Sequence, residues 1–166
     1  MELKEALEKL RLDNKFKDWN QKNKDNFFSY ALKIVDQNNE KPWQLGFYHK
    51  KNDKIATFII DETIELIGEE DIFKKPGVEI NPINMEKIKL PFDEIITKAK
   101  EFQKEKYPNE LLNKTIALLQ RLEKYGTVWN LTFLTKAFKT LNMKINPETG
   151  EIIDHKLDSL MDFVEK

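Results

Sequence analysis

His49, His155 and the run Glu69-Glu70-Asp71 are where this 166-residue chain would first be searched for chemistry, since imidazole and clustered carboxylates move protons and hold metal ions. A zinc site needs imidazoles at close spacing with further ligands beside them. His49 and His155 lie more than a hundred positions apart, without a His-Glu or His-His spacing on one helix, so both read as surface positions and no metal site is expected. The acidic run suits acid/base work or a divalent ion, but carboxylates that open a helical turn also complement the helix dipole, and that reading is adopted. With no cysteine, a disulfide, a thiolate nucleophile and a Cys-based zinc site are excluded. Five glycines leave little scope for a phosphate-cradling loop, and no Gly-x-Ser-x-Gly elbow, P-loop or dinucleotide fingerprint is present. No catalytic residue and no cofactor are expected, and the chain leans away from being an enzyme.

Binding residues are sought on two matching pentads. Trp43, Leu45 and Phe47, like Trp129, Leu131 and Phe133, share one face of a strand at period two. Aromatic strips of this kind stack sugars or bases in some sheets, but beside amphipathic helices they are what an α+β core requires, and they are assigned to the core. The opposite face carries Gln44, Gly46 and Tyr48 on one pentad and Asn130, Thr132 and Leu134 on the other. Gln44, Tyr48, Asn130 and Thr132 are therefore the candidate ligand- or partner-binding residues. Phe138, an aromatic residue at a loop tip, joins them as a candidate anchor.

The pentads belong to a longer repeat. An offset of 86 positions, Trp43 to Trp129, also equates Ala31-Leu32 with Ala117-Leu118, Lys50 with Lys136 and Ile59 with Ile145. Further on it equates Glu62-Thr63 with Glu148-Thr149, Glu65 with Glu151 and Ile67 with Ile153. These eleven identities stand against about two or three expected by chance at average composition. A period this long, seen twice, implies a duplicated supersecondary unit rather than a solenoid.

The elements that must position these residues follow from spacing. Leu3, Ala6, Leu7 and Leu10 predict one helix. Asp13 or Asn14 caps a second, short helix carrying Phe16 and Trp19. Pro91 opens a third with Phe92, Ile95, Ile96, Ala99 and Phe102 on one face, closed by Pro108. Alternation through Phe28, Tyr30, Leu32 and Ile34, and through Ile116 and Leu118, predicts strands ahead of each pentad. Ile55, Thr57 and Ile59 follow the first pentad, and Leu141, Met143 and Ile145 the second. Asn146-Pro147-Glu148-Thr149-Gly150 is a turn with proline where φ must be fixed and glycine where it must be positive. Ile64 holds the glycine position in the first half, so that turn is expected to be wider or less regular. Glu69 to Lys75 reads as one or two helical turns in a connector from Gly68 to Leu90. Leu157, Leu160, Met161 and Val164 predict a closing helix capped by Asp154.

Composition bounds the function. Forty per cent apolar residues, eleven Phe and three Trp fill a proper core, and 34% charged residues sum to a net charge of −1. Interspersed, balanced charge with only two arginines argues against a nucleic-acid partner. No apolar run approaches the roughly 20 residues that span a bilayer, and the amphipathic first residues are not a signal core, so no membrane association and a cytoplasmic location are expected.

Asn146, Thr149, Gly150, Glu151 and Ile152 match the last hairpin typical of PepSY-type domains, and in the first half Asp61, Thr63 and Glu65 remain with Ile64 in place of the glycine. Each half resembles a PepSY-type domain, a cystatin-like α+β module. The resemblance implies a helix packed on a meander, and a role in inhibiting or modulating peptidases, as in protease propeptides and envelope proteins with tandem copies.

The expected fold is α+β: an internally duplicated helix plus antiparallel meander in two pseudo-symmetric copies, with helices packed on one sheet face. Residues 1–78 form the first unit and 79–166 the second with its closing helix, their strands in one sheet or two. The expected function is a non-enzymatic binding or regulatory protein for a peptide or protein partner. The alternatives are a small-ligand module with a pocket between helices and sheet lined by Tyr48, Phe133 or Phe138, and a hydrolase using carboxylates with His49.

Overall fold

Leu3, Ala6, Leu7 and Leu10 recur on one side of α1 (Leu3–Leu12) and are buried together, while Glu2 and Glu5 form a reciprocal capping box at its start. Asp13 stops α1 and accepts a 2.8 Å hydrogen bond from the Lys15 amide to start α2 (Asn14–Lys22), which buries Phe16 and Trp19. Pro91 precedes α3 (Phe92–Lys106), whose buried side is Phe92, Ile95, Ala99 and Gln103. The computed structural model describes residues 1–37, 39–71 and 79–161. Among them no helix is long and apolar enough to cross a membrane.

The chain is α+β, and its described residues form these three α-helices and one nine-stranded antiparallel sheet. The strands are β1 (Asn26–Asp36), β2 (Asn39–Glu40), β3 (Trp43–His49), β4 (Lys54–Ile60), β5 (Ile64–Asp71), β6 (Leu112–Leu122), β7 (Gly126–Thr135), β8 (Lys139–Ile145) and β9 (Ile152–Ser159). Their order is β5-β4-β3-β1-β6-β7-β8-β9, with β2 paired to β1. Strands β1 and β6 meet antiparallel at the centre, so the question of one sheet or two resolves to one.

Period two places the pentads as expected. Trp43, Leu45, Phe47, Trp129, Leu131 and Phe133 are all buried. Phe16 of α2 lies 5.0 Å from Phe47, ring to ring, and Phe92 of α3 lies 5.2 Å from Trp43 and 5.3 Å from Trp129. The two tryptophan rings themselves are 6.1 Å apart. Inward on β1, Lys33 is buried as well, held between Glu40 at 3.2 Å and the Trp43 ring at 4.8 Å.

Register departs from a constant offset of 86. Trp43 pairs with Ile60, whereas Trp129 pairs with Ile145. The β3–β4 connection is residues 50–53 and the β7–β8 connection only 136–138, one residue shorter. A one-residue slip turns a side chain to the other face. Ile60, not Ile59, thus takes the buried place that Ile145 holds, and Ile59 takes the other side of the sheet, opposite Gln44.

The next hairpins diverge further. Ile60 and Ile64 pair across three residues, a tighter turn than expected, so the matches at Glu62, Thr63, Glu65 and Ile67 fall out of register with their counterparts. The second-half turn is built as its residues predict. Asn146 Oδ1 accepts from the Glu148 amide at 2.8 Å, and Gly150 has φ +78°.

Two expected helices are corrected. Gly68 to Asp71 continue β5, because β4 supplies ladder partners as far as Lys54–Asp71. The connector's possible helix beyond them, at 72–78, lies outside the described residues. Residues 154–159 continue β9 on β8, so no helix starts at Asp154. Leu160 and Met161 are helical, and 162–166 lie outside the described residues.

Candidate functional site

Strand alternation that buries the Trp-Leu-Phe sets turns their neighbours to the other side of the sheet. Cross-strand pairs draw rows there: Ile59, Gln44, Leu32, Leu118, Asn130 and Lys144 in one, and Ile34, Ile116, Thr132 and Asn142 in the next. None of these is fully buried. Six strands turn eighteen residues to this side, three each, over the spans 30–34, 44–48, 55–59, 116–120, 130–134 and 140–144. Lys144 alone among them is charged, in a chain that is 34% charged. Charge returns at the rim, in the Asp36–Lys114 pair and along β9 at Asp154, Lys156 and Asp158.

Several polar groups on this face are tied down. Tyr30 lies across Gly46, where an added Cβ would come within 1.9 Å of the ring, and its hydroxyl is 2.6 Å from Thr57 Oγ1. Only glycine admits that approach. On the other half Asn142 Nδ2 donates to Asn130 Oδ1 at 2.7 Å and to Thr132 Oγ1 at 3.1 Å. Lys144 Nζ in turn donates to Asn142 Oδ1. A chain of satisfied amides and hydroxyls is rigid and presents little free charge.

The structure therefore gathers Gln44, Asn130 and Thr132 on one face. Tyr48 belongs to that face by register but is buried at 5% exposure, its hydroxyl donating to Asp53 Oδ1 at 2.5 Å and its ring 5.4 Å from Phe27. Phe138 is apart from them. It is 70% exposed with φ +57° in the β7–β8 turn, which antiparallel order puts at the opposite end of the sheet from the β3–β4 turn beside Tyr48. Leu32, Ile34, Ile116 and Leu118, the centre of the face, were read as strand formers but not as site residues. Alternation alone does not say which face a strand buries when both sides are apolar.

His49 is corrected from surface to interior: it is 1% exposed, 6.0 Å from the Trp19 ring, and neither ring nitrogen has a hydrogen-bond partner. Glu69 Oε2 stands 3.6 Å from its Nε2, and Glu69 Oε1 accepts from Trp19 Nε1 at 2.7 Å. Glu69 thus sits on a strand beside a buried imidazole rather than opening a helix. His155 is exposed, its Nδ1 2.6 Å from the Tyr107 hydroxyl. Among the described residues no group of three or more His, Asp or Glu is placed to hold a metal ion.

Two carboxyl groups are held below their usual range. A hydrogen bond and charge from Lys89 lower Glu148, and a hydrogen bond from Tyr125 lowers Asp154. Both sit on the exterior, in turn and edge strand.

The pocket expected at Tyr48, Phe133 or Phe138 is not formed by these three. Phe133 is fully buried in the core and Phe138 projects outward, while Tyr48 with Phe27 and Lys50 lines a cleft of about 270 Å³. A larger cleft of about 470 Å³ opens between α2 and β1.

No protein-family model matches the chain, and no curated protein matches it in sequence. Its fold is similar to a solved structure from Clostridium difficile 630, a protein provisionally named a lipoprotein, with a TM-score of 0.54 at 11% identity. That likeness covers 87% of this chain and 91% of the other, and it bears on the fold alone.

Proposed function

We propose that this chain is a non-enzymatic binding protein that docks a protein or peptide on the open face of its sheet. The observation that supports this is the near absence of charge across six strands, around Leu32, Ile34, Ile116 and Leu118, within a highly charged chain. The centre of this face, Leu32, Ile34, Ile116 and Leu118, is an apolar, partly exposed patch with polar neighbours and charge at the rim, the mark of an interaction site. Across the six strands Lys144 is the face's one cation, and that is hydrogen-bonded to Asn142, which sets the face apart from phosphate-binding surfaces. Charged edge strands disfavour strand addition there, which directs a partner to the face.

The same proposal takes the chain to be a PepSY-like duplication: two copies of one unit related by a pseudo-twofold axis, with the helices on the Trp-Leu-Phe side. In its favour are the matching strand order of the halves and the pairing of Leu32 with Leu118, residues one repeat offset apart. The site is cytosolic in this reading. The neighbour's provisional lipoprotein name suggests the envelope instead, and fractionation of native cells decides between them.

The test is a photo-cross-linking residue at Leu118, compared with one at the exposed Lys100 of α3. A partner is captured at Leu118 only, and Leu32→Glu in the cross-linking chain loses it while stability changes by about 1 kcal/mol or less. Equal capture at both positions, or capture that survives Leu32→Glu, overturns the proposal.

A further inference from the structure

The 470 Å³ cleft lies on the helix side of the sheet, against core-side Phe47, so it is separate from the open face. Its inner wall is aromatic and aliphatic: Phe16 of α2, Phe28 of β1, Phe47 of β3, and Ile83 and Met85 from the connector. The connector is fastened there by the Ile83 amide donating to the Phe28 carbonyl at 3.0 Å. A bulge in β1 between Phe28 and Tyr30 shifts the register at this point, a device common beside binding sites.

Arg11 and Lys17 stand among the lining residues, with Asn20 and Asn26, and among the described residues no acidic one does, although the chain holds 29 of them. Among the ion pairs described, none engages Arg11 or Lys17. Apolar walls with two unneutralised cations select one kind of guest.

We propose that this cleft binds a small amphiphile with a single anionic head, held by Arg11 and Lys17, and an apolar body lodged against Phe16, Phe28 and Met85. The volume is at the lower end of the roughly 300–1,000 Å³ of small-molecule sites, which sets the guest at about a dozen non-hydrogen atoms. Such a ligand binds at ordinary efficiency with Kd from tens of micromolar to about a millimolar.

The test titrates the full chain with decanoate, decyl phosphate, decyltrimethylammonium and decanol, by calorimetry and by displacement of anilinonaphthalene sulfonate. At least one anion binds saturably, about tenfold or more tighter than the cation of equal tail, and the better of the two anions identifies the head as carboxylate or phosphate. Arg11→Glu with Lys17→Glu, both at exposed positions, weakens the anion about tenfold or more without lowering the melting temperature. Met85→Trp fills the cleft and removes binding of all four. The proposal is overturned if neither anion saturates by millimolar concentrations, if the cation binds equally well, or if either variant binds as the parent does.

Discussion

Leu32 and Leu118 stand directly opposite one another where β1 meets β6, and they are also residues that one repeat offset equates. Their neighbours reverse in order, Ala31 against Leu119 and Lys33 against Ala117, as an antiparallel seam requires. The pair occupies the middle of the open face, so its side chains both join the two halves and form the centre of the proposed docking surface.

Charges placed at this pair should couple. Residues directly opposite on one face interact by about 0.2–1 kcal/mol. Leu32→Glu with Leu118→Glu is expected to destabilise beyond the sum of the single changes by about 0.5 kcal/mol, and Leu32→Glu with Leu118→Lys to fall short of its sum by a similar amount. Urea unfolding of the double-mutant cycles measures both. Strict additivity in both would show that the two side chains do not meet.

The core tryptophans should not be equivalent. Removing either ring opens a large cavity next to Phe92, and Trp43→Ala and Trp129→Ala should each cost about 3–5 kcal/mol. Phe separates them: Trp43 Nε1 donates to the Met1 carbonyl at 2.9 Å, whereas the buried Trp129 Nε1 has no partner. Trp43→Phe is therefore expected to cost about 1 kcal/mol more than Trp129→Phe, since only the first breaks a hydrogen bond. Equal losses in thermal unfolding would contradict the assigned bond.

Helices were legible from an apolar stripe, as at Leu3 to Leu10, or from a cap ahead of apolar residues, as at Asp13 before Phe16 and Trp19. The pentads were legible because Trp, Leu and Phe at period two admit one inward face. Asp154 and Leu157 misled because a capping residue ahead of an apolar one is also met by chance on an edge strand, and only β8 alongside makes Ile152 to Ser159 extended. Glu69 misled for a like reason: its ladder partner on β4 is a tertiary fact. The open face was half legible. Its polar members Gln44, Asn130 and Thr132 showed in the pentads, but the leucines and isoleucines between them look like core until the sheet order is known. The burial of His49 depends on Trp19 crossing over it from α2, which nothing near position 49 announces.

Gly46 should resist substitution through Tyr30. A methyl group at this position meets the Tyr30 ring at 1.9 Å, so the ring must leave its place over the strand and its contact with Thr57. Gly46→Ala is expected to destabilise by about 1–3 kcal/mol. With Tyr30→Ala already in place the same change should cost little, and the cycle reads out the clash. A full cost in the Tyr30→Ala background would locate the strain in the backbone instead.

Acid should loosen the junction between connector and second-half turn. Lys89 hydrogen-bonds and attracts the Glu148 carboxylate at 3.1 Å, lowering its pKa below the usual 4.5. A depressed folded-state pKa contributes stability that is present above the unfolded value and is lost as pH falls through the folded one. Melting temperatures between pH 6 and pH 3 should fall less steeply in Glu148→Gln than in the parent below about pH 4.5. Parallel profiles would show that the ion pair does not contribute.

His49 should be dispensable to stability despite its burial. Both ring nitrogens lack hydrogen-bond partners, and the nearest carboxylate oxygen, on Glu69, is 3.6 Å away and beyond bonding reach. An orphaned buried polar group destabilises by about 1–3 kcal/mol relative to a satisfied one, so an apolar side chain of similar size recovers that deficit while giving up little packing. Glu69 keeps its bond from Trp19 Nε1 in either case. His49→Leu is thus expected to match or exceed the parent in urea unfolding, whereas Leu45→Ala, on the same buried side of β3, should lose about 2–5 kcal/mol. A loss from His49→Leu as large as that from Leu45→Ala would mean that the imidazole is satisfied in solution by water or by a turned Glu69 carboxylate.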